Sequence, residues 1–454
     1  MIRTFPARLA LGLGLILAAA CSAPVKDRVA LVGVNVIDGT DAPAREDQVI
    51  VVHGSKIETI APRAGFKIPK TAAEVRLEGK WVIPGLIDAH AHVDRWSLPR
   101  YLAFGVTAVR DLHHQADSIL ALHEEVSLGA IRSPRLYIAG AMIDGTPASI
   151  TDATAVDGPD AARRAVDERA VAGVAVVKAY THVTPPILRA IVDEASTLNI
   201  PVAAHLGLTD ALTAARLGVR SLEHLSGIPE AIGPAAGYYA AHRQGLLEGW
   251  TMFERAWAGL DSSALSRMAA ELAATGVTIV PTLVEHETWS RLDDPAVLSD
   301  PDLAYVPQGV KAGWDVPGLL ARARWDARTF TAFRASRANE DLFVREFRAA
   351  GGNVVAGTDA ANTMLVPGAS LHRELALLVQ AGLSPEDALR AATSRAAALL
   401  GADSLGTLAA GQVADLVVLD ADPRADITNT RKIARVMLNG ALMPADSLDR
   451  VARR

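Results

Sequence analysis

The chain has 454 residues, half of them hydrophobic and 21% charged, with a formal net charge of −6. That composition is ordinary for a folded globular protein, and the length suits two domains better than one small core. An acidic balance without a basic run offers no face to a phosphate backbone, so nucleic acid is excluded as a partner.

The N-terminus has the pattern of an export signal. Arg3 and Arg8 flank the start, an apolar run spans Leu9 to Ala20, and small residues lead to Cys21. The run falls short of the roughly 18–20 residues needed to span a bilayer. Residues 1–20 are therefore expected to be a signal peptide, and the LAAAC ending resembles a bacterial lipoprotein box with Cys21 as the lipidated residue. That box carries Leu three positions before the cysteine, whereas Ala18 stands there and Leu17 lies one further back, so a plain secretory signal stays open. The expected location is the periplasm or cell envelope, with membrane contact only through a lipid on Cys21. Cys21 is the single cysteine, which leaves no disulfide and no thiolate metal ligand.

From Arg28 to about Lys80 short β-like runs alternate with Gly, Asp and Pro turns, and a matching set returns at Gly406–Asp420 and Ile433–Leu442. Residues 28–80 and 405–445 are expected to build one composite β-sandwich. Between them, over 81–404, strand-like and helix-like stretches alternate, as a parallel sheet with crossover helices requires. Eight apolar runs follow in order, at 82–92, 106–112, 135–140, 174–180, 201–206, 220–226, 278–283 and 353–360. Ser384, Pro385, Glu386 and Asp387 mark the start of one of the last helices. The count predicts an α/β fold, a (β/α)8 TIM-type barrel. A doubly wound open sheet is the alternative, and no Gly-rich phosphate loop supports it.

Two connections are long, at about 227–277 and 284–352, and they hold five of the seven tryptophans: Trp250, Trp257, Trp289, Trp314 and Trp325. Loops after barrel strands face the active site. An aromatic lid and a simple packing role for these rings are equally open.

The chemistry-bearing residues fall at strand ends. In DAHAH, His90 and His92 sit two apart and share a strand face, so both can address one ion. Lys178, His205, His224 and Asp359 follow, each at the end of a different predicted strand. Barrel strand ends converge on one axis, and a Lys and an Asp among four His make an odd core. A lone structural histidine is the commoner case for each taken singly. Tyr180 shares a strand face with Lys178 and is a candidate oxyanion donor or a packed ring. Arg110 is a candidate for a substrate carboxylate or a structural partner of Asp111. His113, His114, His182 and His286 are weaker pocket candidates.

This HxH, Lys, His, His, Asp order resembles the ligand set of the amidohydrolase superfamily. PGLIDAHAH, GVTAVRDL and LAAGQVADLVVLD resemble its imidazolonepropionase-like branch, which includes Xaa-Pro dipeptidases. The resemblance implies two divalent metal ions, with zinc expected. His90, His92 and Asp359 would hold one, His205 and His224 the other, and Lys178 would bridge both as a carbamate formed with CO2. It implies cleavage of an amide or peptide C–N bond of a small substrate, in dipeptidase or N-acyl-amino-acid hydrolase fashion. A metal-bound hydroxide would attack, with Asp359 as general acid/base. An esterase or lactonase on the same site is the alternative, and a non-catalytic envelope binding protein a more distant one. The expected partner is a small molecule; homo-oligomerisation is left open. One departure weakens any transfer of dipeptide specificity: several relatives carry a TGGHG-like segment after the third strand, where this chain has AGAMIDGTP.

Overall fold

The computed structural model describes residues 27–453, so the expected signal segment and Cys21 lie outside the described residues. No described helix is long and apolar enough to cross a membrane.

Strands from both ends of the chain share one mixed eight-stranded sheet. Strand Arg28–Val36 pairs antiparallel with Arg45–His53, placing Leu31 opposite Ile50 and Val32 opposite Val49. Successive side chains point to opposite faces. A register shift between Val32 and Val34 resets the alternation, so Leu31, Val34 and Ile50 enter one core with Leu416, Val418 and Met437 from the far end of the chain. Ala30, Val32, Val49 and Val51 enter a second layer, capped by Phe66 and Ile68. Two covered faces explain the nearly unbroken apolar run VALVGVNV.

Trp81–Pro84 belongs to this sheet, antiparallel to Leu416–Leu419. At Gly85 the chain leaves it and enters a parallel strand, Leu86–Ala91. A Cβ on Gly85 would stand 2.1 Å from the Thr107 hydroxyl, so only glycine lets the two layers come this close.

Each of the eight predicted apolar runs contains a parallel strand. Leu86–Ala91, Val106–Asp111 and Arg135–Ile138 form a three-stranded sheet. Val177–Ala179, Val202–Ala204, Ser221–Glu223, Thr278–Val280 and Asn353–Val354 lie in a seven-stranded one. Its other two strands, Ile143–Gly145 and Thr154–Val156, escape the sequence reading because three residues carry no usable periodicity. The expected closed ring is not present as one continuous ladder. Most of its strands are only two or three residues long, and isolated backbone hydrogen bonds span the gaps, among them Ala89 N to Ala356 O at 3.1 Å and Ala175 N to Ile138 O at 2.9 Å.

The long connections are helical, including Leu246–Trp257, Leu283–Trp289 and the 23-residue Ala327–Ala349. Their tryptophans split between the two open roles. Trp257 is wholly buried in the main core, and Trp325 packs against Phe330 and Phe333. Trp314 donates to Ala361 O, while Trp250 and Trp289 line a cavity.

Candidate metal centre

His90, His92, Lys178, His205, His224 and Asp359 all line one cavity of about 420 Å³. They come from the C-terminal ends of five parallel strands or of the segments that continue them, His90 and His92 sharing the first. The local backbone is bent to present them. His224 and Asp359 adopt left-handed conformations, with φ of 59° and 61°, as does Thr282 beside them at 48°. Such residues cost about 1–3 kcal/mol each and persist only where neighbours hold them. Here His224 N donates to Val280 O at 3.0 Å and Asp359 N to His90 O at 2.8 Å. Gly357 permits the second contact: a Cβ there would lie 2.9 Å from His90 N. Asp88, buried beneath, accepts from the Thr358 hydroxyl at 2.6 Å and so ties the first strand to the last.

The ring nitrogens are sorted by their partners. His90 Nδ1 lies 2.7 Å from Glu223 Oε2, His92 Nδ1 lies 3.0 Å from His113 O, and His224 Nδ1 lies 2.8 Å from Thr282 Oγ1. A carboxylate and a backbone carbonyl only accept, so His90 and His92 each direct a protonated Nδ1 at these partners and turn Nε2 toward Asp359. Both Nε2 atoms lie 3.0 Å from Asp359 Oδ1. Donor atoms of His90, His224 and Asp359 fall within 4.8 Å of one another. The His205 ring centroid lies 4.5 Å from that of His224.

Charge in this pocket is out of balance. Burial, reinforced by Lys178 beside His205 and by His90 beside His224, holds both imidazoles far below their usual range and hence neutral. His92 is driven the other way, to about 9, because Asp359 outweighs its burial. Burial lowers the Lys178 ammonium to about 8, and its Nζ has no hydrogen-bond partner among the described residues. Neutral imidazoles with free lone pairs, a carboxylate and an orphaned buried amine form a donor set that fits divalent cations.

Of the less certain candidates, Tyr180, His113 and His114 line the cavity. Burial pushes the Tyr180 phenol far up, so it keeps its proton as a donor. His182 is held between the carbonyls of Pro147 and His242, at 2.6 and 2.7 Å, and His286 lies behind Trp250. Arg110 does not line the cavity and does not pair with Asp111. It lies beneath the site, donating to Glu223 Oε1 at 3.0 Å, to the Ser221 hydroxyl at 3.1 Å and to Ala89 O at 2.5 Å. Against the cost of burial, Arg110, His90 and Lys178 together hold the Glu223 carboxyl at about 2, and the anion steadies His90.

Glu223, Glu285 and Asn362 were not read from the sequence. Glu285 Oε2 stands 2.8 Å from His224 Nδ1, and Asn362 donates to Asp359. The signal was present for the first two: Glu223 closes an apolar strand run in SLEH, and Glu285 follows one in TLVEH. A neighbouring histidine drew attention from both.

Residues 81–443 match the family model described as the amidohydrolase family. The chain belongs to that family. It is thus a metal-dependent hydrolase of carbon–nitrogen bonds, from a family that generally works with a divalent metal centre, on the dipeptidase-like side of the superfamily. Solved structures agree. A putative prolidase from Bifidobacterium longum is 25% identical over 95% of this chain and 100% of its own, with a TM-score of 0.69. A bottromycin amidohydrolase is 26% identical over 94% and 89%, with a TM-score of 0.72. A prolidase complexed with N-methylphosphonate-L-proline, 22% identical over 92% and 99% at a TM-score of 0.68, supports the fold alone. No functionally curated protein matches this amidohydrolase.

Proposed function

We propose that this amidohydrolase cleaves an amide or peptide bond of a small substrate at a two-metal site. The observation that carries the reading is the meeting of His90, His92, Lys178, His205, His224 and Asp359 around one cavity. His90, His92 and Asp359 would hold one ion and His205 and His224 the other, with zinc expected from imidazole and carboxylate donors. Lys178, as a carbamate, would bridge the two; its neutral amine bonds to the carbon of CO2 and releases a proton, turning a repelled cation into an anionic ligand. When bound, the ions supply a water acidified toward neutrality and a Lewis acid for the carbonyl oxygen. Asp359 takes the proton of the attacking water and returns it to the leaving nitrogen. Tyr180, fixed in its protonated form, donates to the developing oxyanion. Glu223 and Glu285 orient His90 and His224. The strand segments of 81–404 would close as a (β/α)8 barrel, with 28–80 and 405–445 as the accompanying sandwich domain.

The test is metal-replete protein lacking residues 1–21. About two ions per chain, a mass gain of one CO2 on the Lys178 peptide, and loss of both in a folded Lys178→Ala variant are expected. A panel of dipeptides, N-acyl amino acids, esters and lactones separates C–N cleavage from ester chemistry by relative kcat/KM. A folded protein that is metal-free and inert on the panel sinks the reading. Residues 1–20 would direct export, with Cys21 lipidated; the mass of the mature N-terminus from a membrane fraction checks this.

A further inference from the structure

Above the metal-side residues the cavity has polar lining, with His113, His114, Gln115 and Asp152, and an apolar wall. Resting on the hydrolase reading above, we infer that the site selects substrates with a bulky, uncharged apolar group beside the scissile C–N bond, an aromatic ring or branched alkyl chain, and that Trp250 is the residue that reads it.

Leu246, Leu247 and Trp250 open the helix Leu246–Trp257 and line the cavity together with Trp289, Met142 and Ile150. The Trp250 ring centroid lies 6.5 Å from those of both His205 and His224, so this apolar wall abuts the chemistry. Among the described residues no arginine lines the cavity; Lys178 lies among the imidazoles and carboxylate of the floor, and Asp152 lies 3.2 Å from His113 Nε2, outside the apolar wall. A charged substituent against the wall would lose water and find no partner there, whereas an apolar ring would gain from burial. A volume of about 420 Å³ suits a small molecule and not a folded chain.

The wall is also rigid. Trp250 stacks on the His286 imidazole with centroids 5.4 Å apart and planes at 22°, and His286 Nδ1 is fixed 2.5 Å from Glu254 Oε1. Trp289 braces it at 5.2 Å and Phe253 at 5.8 Å. A pre-set surface imposes little ordering cost on the group it receives, which turns contact area into selectivity.

The experiment measures kcat/KM of the metal-replete enzyme on two series. One varies the acyl side as acetyl, phenylacetyl and succinyl amides of one amine; the other compares methylamide with benzylamide of one acid. In at least one series the ring-bearing substrate should exceed the small one by roughly tenfold or more, and the succinyl amide should fall below the phenylacetyl one. Trp250→Ala should shrink the ring-to-small ratio; Trp289→Ala, at a less buried position, should do the same if Trp250→Ala does not fold. Equal rates for ring-bearing and small amides in both series overturn the inference and leave the hydrolase reading intact. An unchanged ratio in a folded Trp250→Ala variant also overturns it. Failure to cleave any amide overturns the hydrolase reading itself, and the inference with it.

Discussion

Two buried clusters of imidazole and carboxylate lie close to Trp250. In one, His90, His224 and Asp359 bring their donor atoms within 4.8 Å of each other; in the other, Glu254, His286 and Glu340 do the same. The first has two imidazoles and one carboxylate, the second one imidazole and two carboxylates. Their surroundings differ. Arg337 enters the second cluster, donating to Glu340 at 2.6 Å and to Asp341 at 2.6 Å, and Trp250 covers the His286 face. The first opens onto the cavity, and the buried ammonium of Lys178 there makes no hydrogen bond among the described residues. A cluster closed over by an arginine and an indole has the form of a structural brace, whereas one that opens onto a cavity beside an unpartnered amine is shaped to receive an ion.

The sharpest way to break this comparison is at Asp359. Asp359→Asn keeps the shape but removes the proton acceptor, and kcat on the best substrate of the panel should fall roughly 10²–10⁴-fold with metal at saturation. A folded variant with near-normal kcat would place the proton transfer elsewhere. Next in size is the floor of the site. Arg110→Met leaves the Glu223 charge buried with fewer partners, and breaking such a pair costs about 3–5 kcal/mol. Urea unfolding measures it, and a loss below about 1 kcal/mol, the worth of an exposed pair, would show that Glu223 does not depend on Arg110.

The last test concerns the helix Leu283–Trp289, which carries His286 of the brace. Glu374 accepts from Val284 N at 2.8 Å, and burial raises its carboxyl from an ordinary 4.5 to about 8. In the unfolded chain this group loses its proton first, so its contribution to stability is full below pH 4.5 and is lost as pH climbs through 8. The wild-type Tm should therefore decline more between pH 5 and 8 than that of Glu374→Gln. Parallel curves would remove Glu374 as the source of that slope.

Much of the site was legible because its signals are local. HxH on a strand, and single polar residues closing apolar runs, survive in one dimension since strand periodicity is two and strand ends are where a parallel sheet displays its chemistry. Arg110 misled for the opposite reason. Its flanking residues resemble those of a cavity residue, yet its side chain turns under the strand to a partner 113 positions away. The short strands Ile143–Gly145 and Thr154–Val156 left no trace because the sheet, and not their own pattern, makes them strands.

From the amino-acid order alone came the alternating layers, the sheet shared by the two chain ends and the six groups that meet at the cavity, because each depends on residue type at short spacing. Only the folded chain decided which imidazole nitrogen faces the cavity, which carboxylate has an arginine beside it, and that Trp250 is a wall while Trp257 is filler. Those outcomes depend on contacts such as His90 with Glu223, 133 residues apart, and no local pattern encodes a partner at that range.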